Sequence, residues 1–93
     1  VYLFPFSFQQ ALEAKNKGNA AFTSGQFEEA VTHFTEAISL DPTNHILYSN
    51  RSGSYASLKQ FQRALEDAQK TVELKADWAK GYSRLGSALF FLN

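Results

Sequence analysis

The sequence predicts an all-α protein in which pairs of helices repeat along the chain as a solenoid. When the chain is compared with itself at an offset of 34 residues, apolar and small residues recur at the same positions. Proline occurs only at positions 5 and 42, so no predicted helix is interrupted. No strand pattern follows the first eight residues. The recurring sets are Phe27 and Phe61, Ala30 and Ala64, Val31 and Leu65, Ile38 and Val72, Leu40 and Leu74, Tyr48 and Tyr82, Ser49 and Ser83, and Gly18, Ser52 and Gly86.

The first eight residues, VYLFPFSF, differ in composition from the rest of the chain. They are apolar and uncharged, and they lack the basic region and the small-residue cleavage site of a signal peptide. We expect residues 1–8 to be a disordered or extraneous leader, followed by a domain over residues 9–93. The alternative is a segment that packs on a neighbour, because aromatic residues alternate along it as on one face of a strand, at Tyr2, Phe4, Phe6 and Phe8.

Two helices are predicted in the first repeat unit. The helical pattern of residues 9–24 stops at Gly25, which suits the left-handed exit from a helix. Residues 27–40 form the second helix. The sequence Asp-Pro-Thr-Asn that follows predicts a turn, with Asn44 as the N-cap of the next helix.

Three further helices follow the same pattern. They are predicted over residues 45–58, 61–74 and 78–92, with Asp77 as the N-cap of the last. About five helices therefore make units over residues 11–44, 45–78 and 79–93, of which the third lacks its second helix.

The incomplete third unit has consequences for the C-terminal helix. Arrays of this kind need about three units and a polar terminal cap. We therefore expect Leu85, Leu89 and Leu92 to expose an apolar stripe. Two explanations remain open: the chain is a fragment of a longer protein, or it self-associates through this end.

The composition argues against several classes of function. Nine Lys and Arg residues balance nine Asp and Glu residues, so the basic excess needed for nucleic acid or anionic membranes is absent. Cysteine is absent as well, and the two histidines, His33 and His45, fall on different helices without catalytic spacing. We expect a binding protein without enzymatic activity, metal or cofactor.

Paired helices at this period resemble the tetratricopeptide-repeat family. In that family small residues let the two helices of a unit approach closely. The sequence departs from the pattern only mildly, at Ser52, Thr71 and Ala76. The matching residues are Gly18, Ala30, Phe34, Ala37 and Pro42 in the first unit, and Tyr48, Tyr55, Ala64 and Ala68 in the second.

The charges are segregated between the two kinds of helix. The second helix of each unit (residues 27–40 and 61–74) is mostly acidic. The first helix of each unit (residues 9–24, 45–58 and 78–92) is not, and these three first helices together carry a single acid, Glu13. If the first helices line the inner surface of the solenoid, as in the resembled family, that groove is basic. The cations of the first helices are Lys15, Lys17, Arg51, Lys80 and Arg84.

Hydrogen-bond donors from three first helices are predicted to meet in this groove. Lys80 and Arg84 share a helix face, as do Lys15 and Asn19, and Asn50 lies one period before Arg84. Donors without acceptors indicate an anionic ligand, and carboxylates match Arg and Lys best. A basic face exposed only to solvent is the alternative.

Three segments closely resemble the first tetratricopeptide domain of the heat-shock 70/90 organising co-chaperones, the stress-inducible phosphoprotein family. They are KGN at 17–19, NHILYSNRS at 44–52 and KGYSRLG at 80–86. The likeness runs from about residue 11 to residue 93. It implies a cytoplasmic adaptor, with the nucleus as a second location. Its partner would be the C-terminal Glu-Glu-Val-Asp tail of heat shock protein 70, or that of heat shock protein 90.

The resemblance also implies which residues bind the tail. Lys15 would pair with a carboxylate oxygen of the last residue, and Asn19 and Asn50 would donate to its terminal carboxylate. Lys80 and Arg84 would hold the side-chain carboxylate of that residue and the adjacent backbone. Residues before the terminus would contact the groove at Phe22, Gly53, Ala56, Ser57 and Phe90, the last of which stands where relatives often carry a polar residue.

Two alternatives to this function remain open at the level of sequence. One is a structural scaffold domain that binds another partner through its apolar or acidic outer surface. The other is the corresponding domain of a different clamp-bearing co-chaperone, such as a phosphatase or a prolyl isomerase.

Overall fold

A computed structural model describes residues 6–93, which form five α-helices. Consecutive helices pack against one another, and the first helices of neighbouring units also touch. This confirms the predicted all-α helical repeat. Within the described range no helix is long and apolar enough to cross a membrane. The helices are α1 (Phe6–Thr23), α2 (Phe27–Leu40), α3 (His45–Ser57), α4 (Phe61–Leu74) and α5 (Ala79–Leu92).

Helix α1 begins earlier than the sequence suggested. It starts at Phe6, so the expectation of a disordered leader is wrong for its last three residues, and Phe6 and Phe8 are not on a strand. No proline or glycine interrupts the chain between Phe6 and Gly18, and extending a helix that has already formed costs little free energy. Residues 1–5 of the predicted leader lie outside the described residues.

Small residues set the distance between the two helices of each unit. The ring of Phe34 is fully buried, and a Cβ atom at Gly18 would lie 2.6 Å from its Cε1. The equivalent positions of the second unit carry a larger residue, Ser52, and a smaller one, Ala68. The buried Ser52 hydroxyl donates a hydrogen bond to the Ala64 carbonyl at 2.8 Å. The helices of the first unit thus pack closely because a glycine faces a large ring, and those of the second unit because a small serine forms a hydrogen bond to the facing helix.

A tyrosine closes the turn before the first helix in two successive units. The Tyr48 hydroxyl donates to the Pro42 carbonyl at 2.8 Å, and the Tyr82 hydroxyl donates to the Ala76 carbonyl at 2.7 Å. Both acceptors are backbone atoms. The family's proline can therefore be replaced by Ala76 without loss of this bond.

The helix caps are predicted only in part. The Asn44 side chain accepts a hydrogen bond from the Ile46 N–H at 3.1 Å, as expected of an N-cap. The prediction for Asp77 is wrong, because the N-cap of α5 is Trp78, which makes no side-chain cap bond. The Asp77 carboxylate lies 3.3 Å from Lys75 Nζ instead, and this hydrogen bond lowers the pKa of Asp77. The position of this N-cap follows the register of the repeat, since Trp78 lies one period after Asn44, the N-cap of α3.

The C-terminal end of α5 is apolar and exposed. Leu89 and Leu92 are 44% and 42% exposed, which confirms part of the predicted stripe, whereas Leu85 is half-buried. Phe91 stacks on Phe61 of α4, with ring centroids 4.7 Å apart. The exposed surface is therefore anchored to α4 on one side.

Candidate functional site

The first helices bring the two predicted asparagines together. The Asn50 side chain of α3 donates from Nδ2 to Asn19 Oδ1 of α1 at 3.1 Å. Lys15 lies one turn before Asn19 on α1 and lines a small cavity with Leu47 of α3 and with Asp41 and Asn44 of the preceding turn, where the Asp41 carboxylate accepts a hydrogen bond from Asn44. One side of the predicted site is therefore formed by α1 and α3.

The other side of the site is formed by α3 and α5. Arg84 of α5 donates from Nε to the hydroxyl of Ser49 at 3.4 Å, and Ser49 precedes Asn50 on α3. Lys80 lies one turn before Arg84, with its Nζ 6.0 Å from the centroid of the Trp78 ring. Contacts between neighbouring helices thus connect α1, α3 and α5, the three helices that carry the predicted clamp residues.

Three of the five cations on the first helices have no ion-pair partner among residues 6–93: Lys15, Lys80 and Arg84. The other two are neutralised. Lys17 lies 3.7 Å from Glu13, and Arg51 holds Asp67 through Nε at 2.7 Å and Nη2 at 2.8 Å. The uncompensated positive charge of these helices is therefore the charge of the predicted clamp residues.

Burial lowers the pKa of the Arg84 guanidinium, which has no described carboxylate to offset its desolvation. By contrast, the hydrogen bonds that Arg51 donates to the Asp67 carboxylate raise the pKa of Arg51. Arginine remains protonated at neutral pH in either environment. Arg84 is thus a cation that lacks an anionic partner within this part of the chain.

The predicted groove contacts differ in their surroundings. The Phe22 ring packs edge-on against Phe27, with centroids 5.4 Å apart, and is half-buried against the core. Ala56 is half-buried and Ser57 is exposed. Phe90 is 72% exposed and packs only against Phe91 among described aromatic residues.

Gly53 does not form an open part of the groove wall, because the Arg84 guanidinium fills the space above it. Sequence reasoning also missed Ser49 and Trp78 as neighbours of the clamp cations. The one available signal was their position: Ser49 precedes a clamp asparagine, and Trp78 lies two residues before Lys80.

This arrangement offers amide donors and three cations, Lys15, Lys80 and Arg84, that have no paired carboxylate in the part of the chain that the structure describes. Its chemistry is the binding of an anionic group through charge-assisted hydrogen bonds. No group of three His, Asp or Glu side chains within residues 6–93 is placed to hold a metal ion.

Comparisons with known proteins agree with the predicted repeat. The model of the tetratricopeptide repeat matches residues 11–44, the first predicted unit. The Hsp70-Hsp90 organizing protein of Triticum aestivum is 67% identical over 76 residues, which cover 82% of this chain and 13% of that protein. The chain is thus similar to a short part of a much longer relative.

Two solved structures share the fold over most of the chain. The first TPR of Spaghetti (RPAP3), bound to the HSP90 peptide SRMEEVD, is 40% identical with a TM-score of 0.88, over 91% of this chain and 68% of that one. The second TPR domain of human RPAP3, in complex with the HSP70 peptide SGPTIEEVD, is 30% identical with a TM-score of 0.88, over 92% and 72%. With these identities and coverages, the chain belongs to the tetratricopeptide-repeat family.

Proposed function

We propose that this chain is a co-chaperone module that binds the C-terminal Glu-Glu-Val-Asp tail of heat shock protein 70. The tail of heat shock protein 90 is the second ligand, and the module acts as an adaptor in the cytoplasm or nucleus. Two observations carry the proposal: the Asn19–Asn50 hydrogen bond between α1 and α3, and three cations of the first helices, Lys15, Lys80 and Arg84, that have no acid partner among residues 6–93. The two neighbours described above carry peptides that end in the same four residues.

The donors are sufficient for two carboxylates. The hydrogen bond from Asn50 to Asn19 uses one amide hydrogen of Asn50 and leaves three donors on the pair. Together with Lys15, these suit the terminal carboxylate. Lys80 and Arg84 suit the side-chain carboxylate of the last residue, since guanidinium can bind a carboxylate through two parallel bonds.

The expected affinity is moderate. A hydrogen bond to a charged group contributes roughly 1.5–3 kcal/mol. Five such contacts to a short flexible peptide, after the cost of ordering it, predict a dissociation constant in the micromolar range. This corresponds to a binding free energy of about −8 kcal/mol.

The test is a titration with SGPTIEEVD in two forms, one with a free C-terminus and one amidated. The free acid should bind, and the amide should bind much more weakly because it removes one carboxylate. Lys80→Ala and Arg84→Ala should each lose most of the binding. Lys17→Ala is the matched control, because this lysine lies on α1 but is already paired with Glu13.

Equal binding of the acid and the amide would contradict the clamp, as would unchanged affinity in Arg84→Ala. A structural scaffold domain that uses another surface would bind neither form of the peptide. The same titration with SRMEEVD compares the two chaperone tails.

A further inference from the structure

The Arg84 side chain is held by a buried hydroxyl on α3. Its Nε lies 3.4 Å from Ser49 Oγ, and Ser49 is 0% exposed. No other hydrogen bond to this hydroxyl occurs among the described residues. A buried hydroxyl needs a partner, so this contact favours one orientation of the guanidinium.

Gly53 lies one turn further along α3, and the Arg84 guanidinium packs over it. A Cβ atom at this position would lie 2.7 Å from Arg84 Nη1, 2.8 Å from Cζ and 3.0 Å from Nη2. In an edge-on approach Cζ would be farther away than both nitrogens. Because its distance is intermediate, the guanidinium lies face-on over the glycine.

These two contacts leave the outer edge of the guanidinium available. Arginine has five N–H donors, and Ser49 accepts from only the one on Nε. The four donors on Nη1 and Nη2 have no acceptor among residues 6–93. This edge is the one that forms paired hydrogen bonds with a carboxylate.

We propose that Ser49 and Gly53 are positioning residues that present the Nη1–Nη2 edge of Arg84 to a carboxylate of the ligand. Ser49 fixes the rotation of the guanidinium, and Gly53 provides the space in which it lies flat. The inference rests on the proposed function, because it requires a ligand carboxylate at Arg84. It assigns Gly53 a role beneath the arginine rather than in direct contact with the peptide.

The test is a double-mutant cycle read by titration with the free acid SGPTIEEVD. Ser49→Ala should lower the affinity roughly threefold to tenfold, the effect of one hydrogen bond. In an Arg84→Lys background, which keeps the charge but lacks Nε–H, Ser49→Ala should cause no further loss. Gly53→Val should also weaken binding in the Arg84 protein, because its side chain must displace the guanidinium.

Ser54→Ala provides the matched control. Ser54 is another serine of α3 with 0% exposure, but its hydroxyl bonds to the Asn50 carbonyl of its own helix at 3.0 Å. This substitution should leave the affinity unchanged. Thermal unfolding of each variant verifies that the fold is retained.

Two results would overturn this inference alone: unchanged affinity in Ser49→Ala, or an equal loss in the Arg84 and Lys backgrounds. The second would mean that Ser49 acts on the peptide or on the fold directly. Absence of binding by the unmodified chain would overturn the proposed function together with the inference.

Discussion

At the scale of single residues, Gly25 and Lys59 show how one backbone requirement is met twice. They lie one period apart and both have a positive φ, 78° and 61°. In each case the next N–H closes the turn, from Gln26 to Ala21 at 2.8 Å and from Gln60 to Tyr55 at 2.9 Å. A residue with a side chain adopts this conformation at a cost of roughly 1–2 kcal/mol.

Lys59→Gly should therefore stabilise the domain. The relief of backbone strain exceeds the extra flexibility of glycine in the unfolded chain, for a net gain of about 0.5–1 kcal/mol in a urea titration. Gly25→Ala should have the opposite sign. A lower free energy of unfolding in Lys59→Gly would contradict this account of the turn.

A second prediction concerns the close approach at Gly18. Gly18→Ala should lower the free energy of unfolding by about 1–3 kcal/mol, because the buried Phe34 ring cannot yield to the new methyl group. Gly86 is the equivalent residue two periods later, and a Cβ there meets nothing within 4 Å. Gly86→Ala should be neutral or stabilising by up to about 1 kcal/mol through helix propensity. Similar losses in both variants would show that packing does not decide the effect.

At the scale of elements, one ion pair joins α3 to α4. Arg51 and Asp67 form two parallel hydrogen bonds with side-chain exposures of 18% and 8%, and Arg51 also donates to Thr35 of α2 at 3.1 Å. The guanidinium lies 5.9 Å from the Tyr48 ring and 5.7 Å from the Tyr55 ring. This network fixes the helix that carries Asn50 and Ser49.

Arg51→Ala should destabilise the domain by about 3 kcal/mol, because it leaves the buried Asp67 carboxylate without its partner. The exposed pair of Lys17 and Glu13 serves as the control, and Lys17→Ala should cost less than about 0.5 kcal/mol. Chemical denaturation of the two variants measures the difference. Equal losses would show that burial does not set the strength of these ion pairs.

At the scale of the whole molecule, a net charge of zero coexists with three cations of the first helices, Lys15, Lys80 and Arg84, that have no acid partner among residues 6–93. The other two cations of these helices, Lys17 and Arg51, are paired with acids. Binding of an acidic tail should therefore depend on ionic strength although the chain as a whole is neutral. Raising the salt concentration from about 0.05 M to about 0.5 M should weaken the binding of SGPTIEEVD several-fold, since partly exposed charges are screened. An affinity independent of salt would indicate that apolar contacts dominate.

The apolar end of α5 leads to a prediction about this 93-residue chain in solution. Leu89, Phe90, Phe91 and Leu92 are all more than 40% exposed, and such a patch favours association. Sedimentation should detect a concentration-dependent oligomer, which Phe90→Glu should weaken. A monomer for the unmodified chain at all concentrations would contradict the prediction.

The 34-residue period and the turn residues were sufficient to predict four of the five helices to within about one residue. They could not predict the start of α1, because the apolar leader carries no helical repeat signal. The cap of α5 was assigned to Asp77 by residue type, whereas the register of the repeat placed it at Trp78. Where residue preference and repeat register disagree, the packing of the unit decides.

The sequence alone determined the repeat, the helices and the residue types of the groove, because these depend on local periodicity. Only the tertiary structure showed which cations have no acid partner among residues 6–93. Arg51 and Arg84 are both cations of first helices, but the structure shows Arg51 bound to Asp67 of α4 and Arg84 lying over Gly53, with no acceptor for its Nη1–Nη2 edge among residues 6–93. That distinction arises from contacts between residues 16 and 31 positions apart, which no local pattern encodes.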